Sequence, residues 1–326
     1  MKTVDIHLHL LSSEVKFDRL FDKLALYFFG KKMGLTAKEL IENPYDTYVQ
    51  NLVDGIRSSE HITKTVLFGV DARVDERGDE LHRDLTVCAS NDDVLKVYQE
   101  NPDIIIPFFS INPMRPDALD LIDKYHELGF KGAKFLQNYW GVDTREERYR
   151  PYFEKLKAKG IPLIVHIGSE SSVHSYKECE TLDMLDHPLE VGVTTIAAHM
   201  ALSYEPHRIF KALSKKPKNF NTEYHQLLEM LERHEHLYAD ISALLTPQRA
   251  KVLPHLSQQS HIHHKLLYGT DFPVPFTTIF NTYDISWSRR FALNKIANPF
   301  DRYAKSMLEY FPKESAVYGN WERVLI

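Results

Sequence analysis

The sequence has few cysteines and no long apolar run. Of its 326 residues only Cys88 and Cys179 are cysteines, and no CxxC pair occurs. This excludes a disulfide scaffold and a zinc ribbon, and it makes a reducing, cytoplasmic compartment the expected location. The N-terminal segment MKTVDIHLHL lacks the apolar stretch of a signal peptide. No segment approaches the ~18 apolar residues of a transmembrane helix, so no membrane contact is expected.

An excess of charge of one sign is also lacking, because 40 Lys and Arg stand against 45 Asp and Glu. Such a balance provides no electrostatic footprint for nucleic acid, so a small-molecule substrate is the expected partner. The motifs GxxxxGK[ST], HExxH and GxSxG are absent, which argues against a P-loop enzyme, a zincin and a serine hydrolase. Histidine, in contrast, occurs 17 times, and it is the commonest metal ligand. The sequence leaves open whether the protein forms a homo-oligomer.

Short apolar runs recur along the chain and are continuous, as in strands that are buried on both faces. The eight predicted strands are Thr3–Leu10, Lys64–Val70, Ile104–Ile111, Gly132–Leu136, Pro162–Ile167, Thr194–Ala198, Leu237–Ile241 and Lys265–Tyr268. Helical patterns lie between them at Asp92–Asn101, Pro116–Leu128, Arg148–Lys159, Pro206–Leu213 and Thr222–His234. This alternation predicts parallel β/α units, and eight of them fit a (β/α)8 TIM barrel that takes up residues 1–326 as one domain.

Residues 11–62 are too many for one β/α loop. Helical patterns at Phe17–Phe29 and Thr36–Glu42 predict a helical insertion after the first strand. Loops at the carboxyl ends of barrel strands build the active site, so this insertion would lie over the barrel mouth and shape the pocket. A helical pair that only covers the surface or makes an oligomer contact is an equally open interpretation.

The first predicted strand ends in the sequence DIHLH, residues Asp5 to His9. Side chains alternate along a strand, so His7 and His9 should share one face, with Asp5 below them. At the carboxyl end of a barrel strand that face is the lumen, where two imidazoles can ligate one metal ion. Two packed histidines are the plain alternative, because an HxH sequence alone is a weak signal.

Further candidate ligands follow later strands. His166 follows the fifth predicted strand, His199 the sixth and Asp271 the eighth. A lone histidine at a strand end is usually a hydrogen-bonded core residue. The carboxyl ends of barrel strands converge in space, however, so four histidines and an aspartate at these ends predict a metal site at the barrel mouth.

These residues resemble the amidohydrolase superfamily, in particular the amidohydrolase-related branch of TIM-barrel metal-dependent hydrolases. The resemblance extends from residue 4 to about residue 275 and includes the runs Asn112-Pro113, Pro116–Ala118, Gly129–Gly132 and Gly269–Pro273. It implies one or two divalent ions, usually zinc, bound by the candidate ligands above. It also implies hydrolysis, as in most members, although a minority decarboxylates aromatic or unsaturated carboxylic acids.

The resemblance adds Lys134, in the fourth predicted strand, as a candidate ligand. In many superfamily members a lysine at this strand takes up carbon dioxide, and the carbamate bridges two metal ions. A buried ammonium beside a dication is strongly disfavoured, and a carbamate removes that problem. The alternatives are that Lys134 pairs with Asp5 or Asp240, or that it binds a substrate carboxylate.

Other polar and aromatic residues follow the predicted strands. Asp240 and Ser242 end the seventh strand, where Asp240 either fixes a ligand imidazole or lines the core. Arg73 follows the second strand, and Tyr139 and Trp140 follow the fourth. Facing the mouth, these three residues would suit a carboxylated or aromatic substrate, so they are candidate substrate-binding residues.

The expected activity is metal-assisted hydrolysis of a small ester, lactone or amide, with or without a carboxylate group. Asp271 would contact the metal, accept the water proton and pass it to the leaving group. His199 would either ligate a second metal ion or donate to the developing oxyanion. The alternative is a lyase, a non-oxidative decarboxylase that uses the same ligands. A catalytically inactive metal-binding barrel is disfavoured because the candidate base Asp271 is present.

Overall fold

Eight parallel strands form a barrel in the computed structural model, which describes residues 1–15, 42–169, 173–204 and 220–325. Backbone hydrogen bonds join the first strand to the segment at and after the last one, from Ile6 N to Tyr268 O (3.0 Å) and from Asp271 N to His7 O (2.8 Å). The strands, in sheet order, are β1 (Thr3–His9), β2 (Ile62–Phe68), β3 (Ile105–Phe109), β4 (Gly132–Phe135), β5 (Leu163–Val165), β6 (Thr195–Ala197), β7 (Leu237–Asp240) and β8 (Leu266–Leu267). The predicted (β/α)8 barrel is therefore confirmed, and every predicted strand ends within two residues of an observed one.

Helices lie between the strands and after the last one. Helix α2 begins with a capping box, because Ser90 Oγ accepts from Asp93 N while the Asp93 side chain accepts from Ser90 N. The described helices are α1 (Pro44–Arg57), α2 (Asn91–Glu100), α3 (Ala118–Glu127), α4 (Gln137–Trp140), α5 (Arg150–Ala158), α6 (Asp186–Val191), α7 (Thr222–Arg233), α8 (Leu253–Gln258), α9 (Trp287–Asn294), α10 (Pro299–Met307) and α11 (Glu322–Leu325). None of these helices is both long enough and apolar enough to cross a membrane.

The predicted insertion is described only in part. Its second half contains α1, whose buried face consists of Tyr48, Leu52 and Ile56. The helical pattern at Phe17–Phe29, most of the pattern at Thr36–Glu42 and the predicted helix Pro206–Leu213 lie outside the described residues. A short antiparallel hairpin of Arg73–Val74 and Glu80–His82 follows β2.

The apolar core has two parts, one inside the barrel and one between the sheet and the helices. The inner cluster consists of Val4, Ile6, Val66, Phe68, Phe108, Ile164, Ile196, Ala198, Leu267 and Val324. Six strands contribute to it, and Val324 comes from α11 near the C-terminus. The lumen below the strand ends is thus a packed core and not a pore.

Strand β1 does not alternate regularly. Its register against β2 shifts between Asp5 and Leu8, and Ile6 belongs to the inner cluster although His7 also faces the lumen. Asp5 accepts hydrogen bonds from the backbone N–H of His7 (3.1 Å) and of Thr270 (3.0 Å). The expectation that Asp5 lies below the two histidines on the same face is therefore wrong, because the irregular register turns its carboxylate toward the segment after β8.

Candidate metal centre

Side chains from six strands meet at the carboxyl end of the barrel. Each is at the end of its strand or a few residues after it, because only there does the inner apolar cluster give way to the mouth. They are His7 and His9 of β1, Lys134 of β4, His166 after β5, His199 after β6, Asp240 of β7 and Asp271 after β8. The structure thus brings all the predicted ligands to the same end of the barrel.

The carboxylate of Asp271 lies at the centre of this group. Its Oδ1 is 3.5 Å from His7 Nε2 and 3.4 Å from His9 Nε2, and its Oδ2 is 3.9 Å from His199 Nε2. The ring of His166 lies 5.4 Å from that of His199, centre to centre. His7, His9 and Asp271 offer donor atoms that are all within 4.8 Å of one another, so this group could hold a metal ion.

Asp240 determines which nitrogen of His7 faces the lumen. Its Oδ2 is 2.7 Å from His7 Nδ1. A carboxylate accepts here, so Nδ1 carries the hydrogen and the Nε2 lone pair points to the mouth, as in the carboxylate–histidine pairs of metal sites. Lys134 Nζ is 3.3 Å from His7 Nε2, and the edge of the Phe68 ring packs on the imidazole at 5.0 Å.

Asp240 is ionised despite its burial. Burial alone raises the pKa of this carboxyl, but the contact with His7 and hydrogen bonds from the Ser242 side chain and the His199 backbone outweigh it and bring the pKa to about 2. Burial, together with the positive charge of Lys134, lowers the pKa of His7. His7 is therefore neutral at pH 7 and keeps its Nε2 lone pair.

The same carboxylate acts on His199 through Ser242. The Ser242 hydroxyl donates to Asp240 Oδ1, so its oxygen accepts from His199 Nδ1 at 2.8 Å. Burial, and then the charge of Arg249, lowers the pKa of His199 well below its usual value. Neutral His199 thus carries its hydrogen on Nδ1 and turns the Nε2 lone pair toward Asp271. This arrangement favours a ligand over an oxyanion donor, the two roles that the sequence left open.

The backbone at His199 has an unusual conformation. His199, Met200 and Ala201 have φ angles of 55°, 54° and 54°, so three successive non-glycine residues are left-handed. Such a conformation costs about 1–2 kcal/mol per residue, and it persists only where the surroundings impose it. Part of this constraint is the hydrogen bond from His199 N to Asp240 Oδ1, at 2.9 Å. Asp271, with a φ of 63°, is left-handed as well.

Gly269 follows β8, and the side chains of His7 on β1 and of Ser242 after β7 approach its backbone closely. A Cβ atom at this position would lie 3.0 Å from the Cβ atoms of both His7 and Ser242. Contacts this short are tighter than side chains normally tolerate, so a larger residue would push the His7 ring away from Asp271. Steric crowding by His7 and Ser242 therefore explains why a glycine, and not a larger residue, precedes Thr270 and Asp271.

A cavity of about 260 Å³ opens above the candidate ligands. Its floor is polar and consists of His9, His166, His199 and Asp271. Its wall is apolar except for one hydroxyl, and consists of Leu11, Thr86, Val87, Leu136, Val173, Pro273, Val274 and Pro275. Sequence reasoning missed this wall because no motif marks it, although Pro273–Pro275 could have been suspected from their position directly after Asp271.

The three predicted substrate-binding residues do not line this cavity. Tyr139 is fully buried, and its hydroxyl accepts from Asp84 N at 3.1 Å. Trp140 is buried as well and donates from Nε1 to Asp71 O at 2.8 Å. These two aromatic residues support the loops behind the wall.

The side chain of Arg73 contacts Tyr176. Its guanidinium lies 5.0 Å from the centre of the Tyr176 ring and donates a hydrogen bond to the Tyr176 hydroxyl. Such cation–π stacking holds the arginine beside the hairpin that it begins. The described contacts of Arg73 are therefore with the protein, and a role in binding the substrate stays a prediction.

A comparison with known protein families includes all the candidate ligands in one match. The family model for amidohydrolases matches residues 4–291. The chain belongs to the amidohydrolase family. It is accordingly an enzyme of the amidohydrolase superfamily, as the resemblance of its ligand order implied.

Solved structures with the same fold include other amidohydrolases. An uncharacterised TIM-barrel protein from Bordetella bronchiseptica is 15% identical, with a TM-score of 0.57 over 100% of this chain and 98% of that chain. An amidohydrolase from Burkholderia multivorans with bound zinc is 12% identical, with a TM-score of 0.53 over 100% and 99%. The 2,6-dihydroxybenzoate decarboxylase from Rhizobium is 15% identical, with a TM-score of 0.51 over 100% and 98%. Comparison with curated proteins gives no match.

Proposed function

We propose that this amidohydrolase-family enzyme is a metal-dependent hydrolase of small esters, lactones or amides. The observation that carries the proposal is the position of the Asp271 carboxylate, within 4 Å of Nε2 of His7, His9 and His199, at the floor of the cavity. A carboxylate among imidazoles at the polar floor of this cavity provides both ligands and a base.

The donor set fits a divalent metal ion. Asp271 Oδ1 is buried between two imidazole nitrogens and has no hydrogen-bond partner among the described residues, so a cation there would satisfy it. Neutral imidazoles with one carboxylate suit zinc, and the residues that would hold it are His7, His9, His166, His199 and Asp271. When bound, such an ion lowers the pKa of a coordinated water from 15.7 to about 7 and polarises the substrate carbonyl.

Asp271 is the proposed base. Burial raises the pKa of its carboxyl, but the close contacts with His9 and His7 and the nearby charge of Arg249 outweigh this and leave the pKa below its usual value. The carboxylate is therefore ionised at neutral pH. It would accept a proton from the attacking water and then return that proton to the leaving alkoxide or amine.

The charge of Lys134 bears on metal binding by His7. As an ammonium it donates a hydrogen bond to His7 Nε2, at 3.3 Å, and so uses the lone pair that a metal ion needs. Uptake of carbon dioxide by Lys134 would remove this competition and supply a further anionic ligand. Zinc content measured with and without bicarbonate, with a high-resolution map of Lys134, tests the carbamate.

The cavity suggests the kind of substrate. Its volume of about 260 Å³ lies below the ~300–1,000 Å³ of sites that take drug-sized ligands. Seven of the twelve described lining residues are aliphatic or proline, so the wall suits an apolar body with its reactive group at the floor.

Decarboxylation of a small aromatic or unsaturated acid is the second candidate. The apolar wall suits such a substrate, and a metal ion held at the floor would attract its carboxylate. The fold shared with the Rhizobium decarboxylase supports this second candidate. Product analysis separates the two activities. Release of carbon dioxide would indicate decarboxylation, and release of an acid together with an alcohol or amine would indicate hydrolysis.

Metal analysis and substrate screening test the proposal together. Protein prepared without chelator should contain zinc or another divalent ion. Chelation should abolish turnover of an ester, lactone or amide panel, and the far-UV dichroism should persist because the core does not need the ion. Failure to bind any added divalent ion would contradict the proposed function.

A further inference from the structure

The left-handed turn that carries His199 is also held by two side chains from other elements. Asn221, which precedes α7, donates from Nδ2 to Ala201 O at 2.9 Å. Arg249, in the segment after β7, donates from Nε to Leu202 O at 2.9 Å. Within the turn, Leu202 N donates to His199 O at 3.0 Å. The carbonyl groups of residues 199, 201 and 202 thus all accept hydrogen bonds.

Arg249 is an unusual residue for such a task. It is 3% exposed, its guanidinium lies 5.4 Å from the centre of the Tyr204 ring, and its Nη2 has no hydrogen-bond partner among the described residues. Burial of a guanidinium without a full set of partners is costly. The planar guanidinium donates to Leu202 O while it also lies beside the Tyr204 ring, so one side chain contacts both residues that follow the turn.

We infer that Arg249 is a positioning residue which, together with Asn221, holds the left-handed residues 199–201 through the carbonyl groups of residues 201 and 202, and so directs His199 Nε2 toward Asp271. The role of His199 as a ligand rests on the proposed function. Arg249 is not among the residues that line the cavity, so it acts through His199 and does not touch the substrate.

Cobalt(II) binding by the purified full chain tests the inference. Arg249→Met and Asn221→Leu each remove one donor to the turn. We expect both variants to bind cobalt about 10–100-fold more weakly than the wild type, the usual loss when a residue behind a ligand is removed. Both should also show an altered visible absorption spectrum, because the ligand geometry changes. Arg249→Lys should not restore the spectrum, because an ammonium lacks the planar Nε geometry.

Arg302 provides a matched control. It is 4% exposed, donates from Nη1 to Ile296 O at 3.1 Å and lies 5.2 Å from the centre of the Phe276 ring. Arg302→Met should destabilise the fold as a buried arginine substitution does, yet leave cobalt affinity and the spectrum unchanged.

Wild-type cobalt affinity and spectrum in both Arg249→Met and Asn221→Leu would overturn the inference. If Arg249→Met does not fold, Asn221→Leu alone decides, because Asn221 is only half-buried. A wild-type chain that binds no cobalt contradicts the proposed function instead. In that case crystal structures of the variants decide, and an unchanged φ and ring orientation at His199 would overturn the positioning role.

Discussion

The two ends of the barrel interior have opposite chemistry, although the same strands supply both. On β5, Ile164 belongs to the inner apolar cluster, and His166 reaches the cavity two residues later. After β6 the change from Ile196 to His199 takes three residues. A step of about 7–10 Å along a strand, at ~3.3 Å per residue, therefore separates a position that stabilises the fold from one that carries the chemistry.

The two ends also differ in what they contribute to stability. The apolar end gains roughly 25 cal/mol for each Å² of apolar surface that it buries. The polar end buries ionisable groups and holds a left-handed segment at His199, both of which are unfavourable. The lesson is that the barrel tolerates a destabilising site because the layer beneath it is tightly packed.

The largest expected effect is on catalysis at the polar end. Asp271→Asn should lower kcat by ~10²–10⁴-fold, because the amide cannot accept the water proton. Most of the metal should remain, since three histidines and water can complete a tetrahedral site. Metal stoichiometry and kcat of the purified variant measure both effects. Sharp metal loss would make Asp271 mainly a ligand, and wild-type turnover would refute its role as base.

The converse substitution at the apolar end should affect stability alone. Ile164→Ala leaves a cavity below His166 and should lower the free energy of unfolding by about 2–5 kcal/mol. The folded variant should keep the wild-type metal stoichiometry, because the ligands lie beyond the inner cluster. Urea unfolding and elemental analysis measure these quantities. Metal loss from folded Ile164→Ala would show that the two ends are not separable.

A smaller effect is expected for the carboxylate that links the ligands. Asp240→Asn should weaken metal affinity by about 10–100-fold, because the amide no longer fixes His7 Nδ1–H as a charged acceptor does. Ser242→Ala should weaken it less, since Ser242 O, 3.3 Å from His199 Nδ1, can still accept from that ring. Competition with a chromophoric chelator measures the affinities. A stronger effect for Ser242→Ala would reverse the assigned order.

The last prediction concerns how the stability of the metal-free protein depends on pH. His7, His166 and His199 have a pKa below 6.5 in the folded state, so the unfolded chain binds more protons below that pH. Unfolding free energy should therefore fall as the pH drops from 7 to 5, by no more than about 1.4 kcal/mol per pH unit for each group.

Asp5 opposes this trend, because burial raises its pKa to about 7. Its contribution is fully present below the unfolded pKa of about 3.9 and is lost as the pH rises through 7. Asp5→Asn should consequently make the fall below pH 6.5 steeper. Urea titrations with chelator at pH 5 and pH 7 measure this, and a flatter profile in Asp5→Asn would contradict the assignment.

The sequence predicted what depends on local pattern. Strands such as Pro162–Ile167 were recognisable because burial on both faces leaves a continuous apolar run, and His166 and His199 because they directly follow such runs. Their convergence then followed from barrel geometry alone. The confirmed family resemblance rests on the same residues.

The rest depends on tertiary contacts that no local pattern encodes. Whether Tyr139 faces the mouth or the loop behind it is decided by a hydrogen-bond partner at Asp84, 55 residues away. Arg249 acts on a turn 47 residues earlier in the chain. The irregular register of β1, because of which the expectation for Asp5 was wrong, is visible only in the pairing of β1 with β2.

The packed lower half of the lumen restricts traffic through the enzyme. Val324 of α11 packs into the inner cluster, so the described part of the lumen below the candidate ligands is filled with apolar side chains. We therefore expect substrate and product to use the same opening of the cavity, past the wall formed in part by Val87 and Pro275. Accumulated product should then compete with substrate for the site.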